Sequence, residues 1–448
     1  MGTYLQKTNS SPSSQRQFTV STWVKVCREG GDKYIWSMRV DDNNWISFRF
    51  ATNGCVILQI YDSGSTTGQL QSEEVFRDFS SWYHFVVRVN TNDSTANDRL
   101  RIYVNGNQIN DFSTRTNLPS GYDIPITGNF QVATGAFSSQ YNSDSLDGYL
   151  TDFNYCDNYS YAPTSFGETD STTGEWKPIV DFTGVSYGNN GFRLKFENAA
   201  ALGTDTSGNS NTLTVNNAGT NAKTVDTASN NFCTMNPLAN KYPNSTFTLG
   251  NLAVAMGASQ STFNTGTFGV SSGKWYFEMK PTAMGSGTDN CLVGIVSRSD
   301  STGTSDYLGE PNSVVYRNNG QYKKDSGNAT YGASWTTSNI VMVAVDCDNN
   351  NIYFGTDNQW ADGSGNNDEA APNSAISFTS QMISDGVVFP TFGDLSTNSP
   401  EPAGQFNFGN SPFTISSGNA DANGYGNFEY APPTGYYALC TKNINQYG

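Results

Sequence analysis

Histidine is almost absent: His84 is the only one in 448 residues. Charge is scarce too, at 14% of residues, and 24 Lys plus Arg stand against 40 Asp plus Glu for a formal net charge of -16. Neutralising phosphates takes cations clustered on one face, so this balance argues against nucleic acid as a partner. It suits solubility, repulsion between copies before assembly, and weak attraction for divalent cations. No apolar run reaches the roughly 18 residues that a membrane helix needs, and Met1-Gly-Thr-Tyr-Leu-Gln6 has neither a basic n-region nor an apolar h-region. The expectation is no membrane insertion and no secretion by that route. The seven cysteines (Cys27, Cys55, Cys156, Cys233, Cys291, Cys347, Cys440) are widely spaced, odd in number and free of any CxxC pair. That pattern indicates neither a disulfide framework nor a zinc site, and it fits synthesis in a reducing cytoplasm. Heptads and repeats of 20 to 50 residues are missing as well, which removes a coiled-coil shaft and a solenoid.

What is abundant is Gly (44 residues), Asn, Ser and Thr, with 13% aromatics, a profile of short strands joined by tight turns. The length favours two or three domains. In residues 17–26, Phe18, Val20, Thr22 and Val24 alternate with Thr19, Ser21, Trp23 and Lys25, the period of a half-buried strand. Similar runs follow at 45–50, 55–61, 82–90 and 100–104, each bounded by Asn, Asp, Gly or Ser. Asn105-Gly106 supplies two residues tolerant of positive φ for a type I′ hairpin turn. Residues 166–232 are richer in Gly, Ser, Thr and Asn yet keep a strand signal at 191–196, and read as a structured connector. A second series of strand signals occupies 273–279, 291–296, 313–316, 340–345, 351–354 and 387–392. The fold class predicted is all-β, two tandem antiparallel β-sandwiches, over 1–165 and 233–448.

Particular phrases carry resemblances. Phe18-Thr-Val-Ser-Thr-Trp-Val24, Ser81-Trp-Tyr-His-Phe-Val-Val87, residues 100–109 and Asp147-Gly-Tyr-Leu-Thr-Asp-Phe153 resemble strands of the laminin-G-like, concanavalin-A-like jelly roll. Gly273-Lys-Trp-Tyr-Phe-Glu278, Val293-Gly-Ile295, residues 343–354 and Val388-Phe-Pro390 resemble a SPRY domain. Neither family implies catalysis. Ser165-Phe-Gly-Glu168, Asn190-Gly-Phe-Arg-Leu-Lys-Phe196, residues 201–209, 231–238, 406–413 and 432–443 are similar to connecting and terminal segments of structural proteins from marine and cyanobacterial tailed phages. That resemblance implies a virion structural protein and carries no catalytic residues with it.

Candidate chemistry is sparse. A Ser/His triad or a His-dependent metal site would have to use His84, which lacks a partner motif and reads first as a structural strand residue. Glycanases of the concanavalin-like fold carry carboxylates spaced on one strand to flank the glycosidic bond. Here Glu168-Thr-Asp170 followed by Glu175 is spaced wrongly, and Glu73-Glu74 points to opposite faces when extended. Residues 419–424 imitate the start of an EF-hand loop, but position twelve is Tyr430 and position one is Asn, so a polar turn is the better reading; residues 41–44 and 346–351 read alike. No Gly-rich stretch ends in Gly-Lys-Ser/Thr before a helix. Tyr307, Tyr316, Trp335 and Trp360 lie in turn-rich stretches and are the candidate ligand-binding residues, able to stack on sugar rings, with core packing as the rival reading.

The function expected is that of a non-enzymatic structural protein on the exterior of a tailed-phage particle, a tail-fibre or appendage component touching host-surface glycan or protein. The alternatives are capsid decoration or appendage joining through protein contacts only, and, as a minor one, a glycan depolymerase. Expected partners are other virion proteins and additional symmetric copies of the chain. No cofactor is called for, calcium between sandwich loops being left open. Made in the host cytoplasm, such a chain would leave by lysis. Because stability should come from apolar cores and not cross-links, calorimetry with and without a reductant should give the same cooperative transition; loss of that transition on reduction would show a covalent staple.

Overall fold

The computed structural model describes residues 3–28, 30–126, 130–137, 144–219, 222–240, 245–257, 262–287, 290–298, 307–395 and 400–448. The chain divides into two units, residues 1–223 with 227–229, and residues 224–226 with 230–448. Both are all-β sandwiches. Among the described residues pairing is antiparallel apart from the single bridge Tyr34–Ser145 and the two-residue strand Tyr437–Ala438.

In the first unit an eight-stranded sheet runs from edge to edge through Phe112–Thr116, Ser65–Val75, Cys55–Asp62, Asn44–Phe50, Lys33–Asp41, Phe130–Thr134, Tyr4–Asn9 and Thr214–Asn216. Facing it, a six-stranded sheet runs through Phe192–Leu194, Gly148–Asp157, Gln17–Val26, Tyr83–Asn90, Leu100–Val104 and Asn107–Gln108. Alternation supplies the core: Met38, Ile46, Phe48, Leu58 and Leu70 from one sheet meet Phe18, Val20, Phe85, Val87 and Ile102 from the other. Phe48 and Phe85 meet edge to face at 5.4 Å, a favourable aromatic geometry. Asn105 and Gly106 have φ of 47° and 82°, as a two-residue type I′ hairpin requires.

Two readings from sequence change here. Strand Gln17–Val26 is buried on both faces, because residues 159–187 lie over its outer side. Thr19 Oγ1 donates to Tyr159 O and accepts from Tyr161 N, both at 2.8 Å. The supposed connector is largely part of the first unit: Phe192–Leu194 adds to the six-stranded sheet beside Gly148–Asp157, and Thr214–Asn216 adds to the eight-stranded sheet beside Tyr4–Asn9. Asp205 fixes this segment by accepting from Arg193 N at 2.9 Å, Ser207 N at 2.8 Å and Asn211 N at 2.7 Å. Asn209 and Asn211 both donate to Gly191 O at 2.9 Å.

The second unit pairs a sheet built on the path Thr246–Thr248, Ala253–Ala255, Pro402–Asn407, Lys274–Met284, Val341–Asp346, Asn351–Thr356, Gln359–Ala361 and Asn367–Glu369, with two short strands attached. Its partner sheet runs Thr262–Thr265, Phe389–Asp394, Leu292–Val296, Ser313–Arg317, Gln321–Lys324 and Gly327–Thr330. Between them lie Trp275, Phe277, Val343, Phe354 and Phe406 against Val293, Val314, Tyr316 and Phe392. All seven cysteines are buried, and none is joined in a disulfide.

Gly191 is the tightest point of the closing segment: a Cβ there would stand 1.8 Å from Tyr187 O and 2.5 Å from Tyr155 O. Both obstacles are backbone, which cannot rotate away. Gly191→Ala should therefore lower stability by roughly 2 kcal/mol or more, while Gly219→Ala, with nothing within 4 Å, should stay within about 0.5 kcal/mol. Urea melts of the two variants would check this, and equal midpoints would refute it.

Candidate functional site

The four aromatics proposed for ligand stacking do not converge on one surface. Tyr316 is fully buried on strand Ser313–Arg317, stacked on Phe354 at 5.3 Å and tilted against Trp335 at 6.1 Å. Its hydroxyl donates to Ala333 O. Trp335 is 1% exposed and Trp360 5%, the latter packed edge-on against Tyr276. Burial on both faces leaves these three rings nothing to offer a sugar, so they are corrected to core residues. Tyr307, at 37%, is the exposed one of the four.

His84 sits in a buried polar cluster whose hydrogen bonds have the wrong polarity for nucleophilic catalysis. Trp176 Nε1 donates to His84 Nδ1 at 2.9 Å, so the neutral ring carries its proton on Nε2 and donates it to Ser21 Oγ at 2.8 Å. A triad needs the reverse, with Nε2 accepting the serine proton and a carboxylate holding Nδ1–H. The ring lies parallel to Trp23 at 4.7 Å, and full burial depresses its pKa to about 3. Trp176 reaches it from the hairpin of Gly167–Thr169 and Trp176–Pro178. That hairpin's turn engages the acidic run noted in the sequence: Asp170 accepts from Thr172 N at 2.8 Å and Thr173 N at 3.0 Å and pairs with Lys177 at 2.8 Å. These bonds hold Asp170 well below the usual carboxylate range, which suits a turn cap and not a catalytic acid.

The EF-hand-like loop is likewise an acceptor hub. Asp421 Oδ1 accepts from Asn423 N at 2.9 Å and Tyr425 N at 3.0 Å, and Oδ2 from Ala438 N at 2.9 Å and Asn443 Nδ2 at 2.7 Å. Oxygens that face N–H donors are not presented to a cation. Asp41 and Asp346 also accept from backbone N–H groups, of Asn43 at 2.8 Å and Asn349 at 3.0 Å. Among the described residues no three His, Cys, Asp or Glu side chains converge as a metal site. A cleft of about 140 Å³ beside helix Ser380–Asp385 is lined by Val270, Ser271, Asn350, Phe378, Met382 and Val388, with Cys347, whose thiol burial pushes up to about 12.

Sequence reading missed two places. The first is Glu278, on the outer side of strand Lys274–Met284. Its Oε1 accepts from Tyr430 N at 2.7 Å and Tyr276 OH at 3.1 Å; its Oε2 accepts from Glu429 N and Asn407 Nδ2, both at 3.0 Å. Burial nevertheless raises its pKa to about 7. The alternation around Glu278 was visible in sequence, but nothing there announced the later segment that buries it.

The second is the outer face of the first unit's eight-stranded sheet. Register sets Trp45 beside Tyr61, Ser47 beside Gln59 and Arg49 beside Ile57, then Gln59 beside Gln69 and Ile57 beside Gln71. Trp45 and Tyr61 stack at 4.8 Å, with Tyr61 OH fixed on Gly64 O at 2.6 Å. Arg49 pairs with Asp32 at 2.7 Å and donates to Gln59 Oε1 at 3.0 Å. The outward period of two in 45–50 and 55–61 was the available signal, and it was read for its core face alone.

The sheets and their registers define an all-β protein of two antiparallel β-sandwiches. Residues 2–164 match the family described as the concanavalin A-like lectin/glucanases superfamily, in its laminin-G form, so the first unit carries a laminin-G-like domain. No curated protein matches the chain. Solved structures similar to it include the SPRY domain of human HERC1, at 15% identity and TM-score 0.31 over 38% of this chain and 96% of that one. They also include a native heptameric SAP-like pentraxin from Limulus polyphemus, at 21% identity and TM-score 0.28 over 36% of this chain and 71% of that one. The TRIM65 PSpry domain follows at 10% identity and TM-score 0.28, over 39% and 91%.

Glu278 has its folded pKa of about 7 above the ordinary glutamate value of 4.5, so between those pH values the folded state holds a proton that the unfolded state has released. Its contribution to stability is full below about pH 4.5 and is lost as pH rises through 7, at up to about 1.4 kcal/mol per pH unit. Glu278→Gln should abolish this slope and, by turning an amide N–H₂ toward backbone donors, lower stability by about 1–3 kcal/mol. Denaturant melts of both proteins from pH 5 to 8 measure it; parallel profiles would contradict the assignment.

Proposed function

We propose that this chain is a non-enzymatic protein on the exterior of a tailed-phage particle, a tail-fibre or appendage component that meets the host surface through its lectin-like domains. The observation that carries this reading is the first unit's outer sheet face, where half-buried aromatic, amide and arginine side chains are held in fixed register. Support also comes from the lectin-superfamily match over residues 2–164 and from the phrases similar to phage structural proteins. A non-catalytic role fits His84 donating to Ser21, and carboxylates occupied as caps and hubs. In this reading the second, SPRY-like unit contacts other virion proteins, and copies are arranged by the particle's symmetry.

Capsid decoration or appendage joining is the rival reading, and position on the particle separates the two. A reconstruction of the purified phage with this protein tagged should place its density at the tail periphery. Density spread over the capsid would overturn host contact in favour of decoration, and absence from the particle would overturn both.

A further inference from the structure

We propose that Lys7 and Asn211 condense to an intramolecular amide, Lys7 Nζ to Asn211 Cγ, that ties the first strand of the first unit to the unit's closing segment. This modification goes beyond the host-contact role and does not rest on it.

Lys7 lies on strand Tyr4–Asn9, two residues after Leu5, and so by parity shares the face that Leu5 gives to the core. The strand is internal to its sheet, between Phe130–Thr134 and Thr214–Asn216. The amines of Lys177, Lys195, Lys274 and Lys323 meet carboxylates. Lys7 meets a side-chain amide instead: its Nζ donates to Asn211 Oδ1, across 204 residues of chain. Asn211 is 9% exposed and is held at three further points. Its backbone N donates to Asp205 Oδ2 at 2.7 Å, and its Nδ2 donates to Asn189 O at 2.8 Å and to Gly191 O at 2.9 Å. The amide plane is thereby fixed, with Cγ one bond from the oxygen that Lys7 touches, and holding the two groups together makes the attack intramolecular.

The surroundings suit the chemistry. Burial lowers the Lys7 pKa, against the pull of the Asp205 charge, and so raises the share of the neutral amine, which is the nucleophile. Asp205, bound to Asn211 N, is placed to take the proton that the amine sheds. The Nζ–Cγ bond forms, the Cγ–Nδ2 bond breaks, and starting from the lysine ammonium the nitrogen of Asn211 leaves as ammonium. Nothing is oxidised or reduced and no second reactant enters. The carbonyls of Asn189 and Gly191, which accept from Nδ2 in the amide, are the acceptors that a departing ammonia needs as well. An amide is indifferent to thiols, so a cooperative transition unchanged by reductant is compatible with this link.

Intact-mass spectrometry of the full chain, after prolonged incubation at neutral pH, tests the proposal. The wild type should weigh less than its sequence by one ammonia. Lys7→Arg and Asn211→Ala should keep their full sequence masses, because a guanidinium stays protonated and alanine has no amide. Succinimide formation at an Asn-Gly pair also expels ammonia, so trypsin decides between the two. The cross-link blocks cleavage after Lys7 and joins residues 1–16 to residues 196–223 in one branched peptide. Lys7→Arg keeps the charge but loses the closed loop, and should unfold at lower denaturant than the wild type. A wild-type chain of full mass, a missing ammonia without the branched peptide, or the same loss in Lys7→Arg would each overturn the link.

Discussion

A β-sheet has two faces, and a two-layer sandwich buries only the inner one of each sheet. What becomes of the outer faces governs most of this chain. In the first unit, residues 159–187 lie over the six-stranded sheet, so Val86, Tyr103 and Cys156 pack under Phe166 and Tyr187. In the second unit, the segment leading to the C-terminus covers the longer sheet, where Tyr276, Met342 and Ala344 pack under Phe428, Tyr436 and Ala438. Tyr276 and Phe428 meet edge to face at 5.0 Å. These covers bury apolar surface twice on one strand, which explains why Gln17–Val26 and Val341–Asp346 are buried along nearly their whole length.

A cover made of loops creates a second problem. Its backbone N–H groups leave water without the ladder that a strand would provide, and each one left unpaired costs about 1–3 kcal/mol. Carboxylates solve this repeatedly. Asp157 accepts from Ser13 N at 2.9 Å and Asn190 N at 3.2 Å, Asp205 gathers the turn that follows, and Asp421 and Glu278 receive the C-terminal segment. A share of the acidic composition thus works inside the molecule. Glu278 is fully buried under its cover, and there desolvation outweighs four donors and lifts its pKa. His84 responds to the same burial in the opposite sense, staying neutral to about pH 3, so its contribution is lost as pH falls below the ordinary histidine range.

Local rules made the strands legible. Alternation located 17–26, 45–50 and 55–61, and Asn105-Gly106 located its hairpin, because each depends on residues a few places apart. Residues 166–223 misled because Gly, Ser and Asn indicate turns without saying what the turns rest on; their bonds run to strands 41 to 212 residues earlier, as Arg193 to Asp152 at 2.9 Å and Tyr4 beside Asn216 show. Tyr316, Trp335 and Trp360 misled for a related reason. An aromatic near turns looks the same in sequence whether its ring faces solvent or a second sheet, and here Phe354 and Tyr276 take their faces. The outer-face residues Trp45, Tyr61, Gln59 and Gln69 were readable by parity alone, but only the registers bring three strands' worth of them together.

On the outer face of the eight-stranded sheet Phe137 packs against Tyr34 and Trp45, and the half-buried residues around them must stay compatible with water. An apolar face of this size would invite association, and a face of one charge would strain the compact state by self-repulsion. Amides and hydroxyls beside two arginines paired with Asp32 and Asp42 avoid both, since water satisfies them as well as a ligand does. Trp45 and Tyr61 tolerate partial exposure because each covers one face of the other.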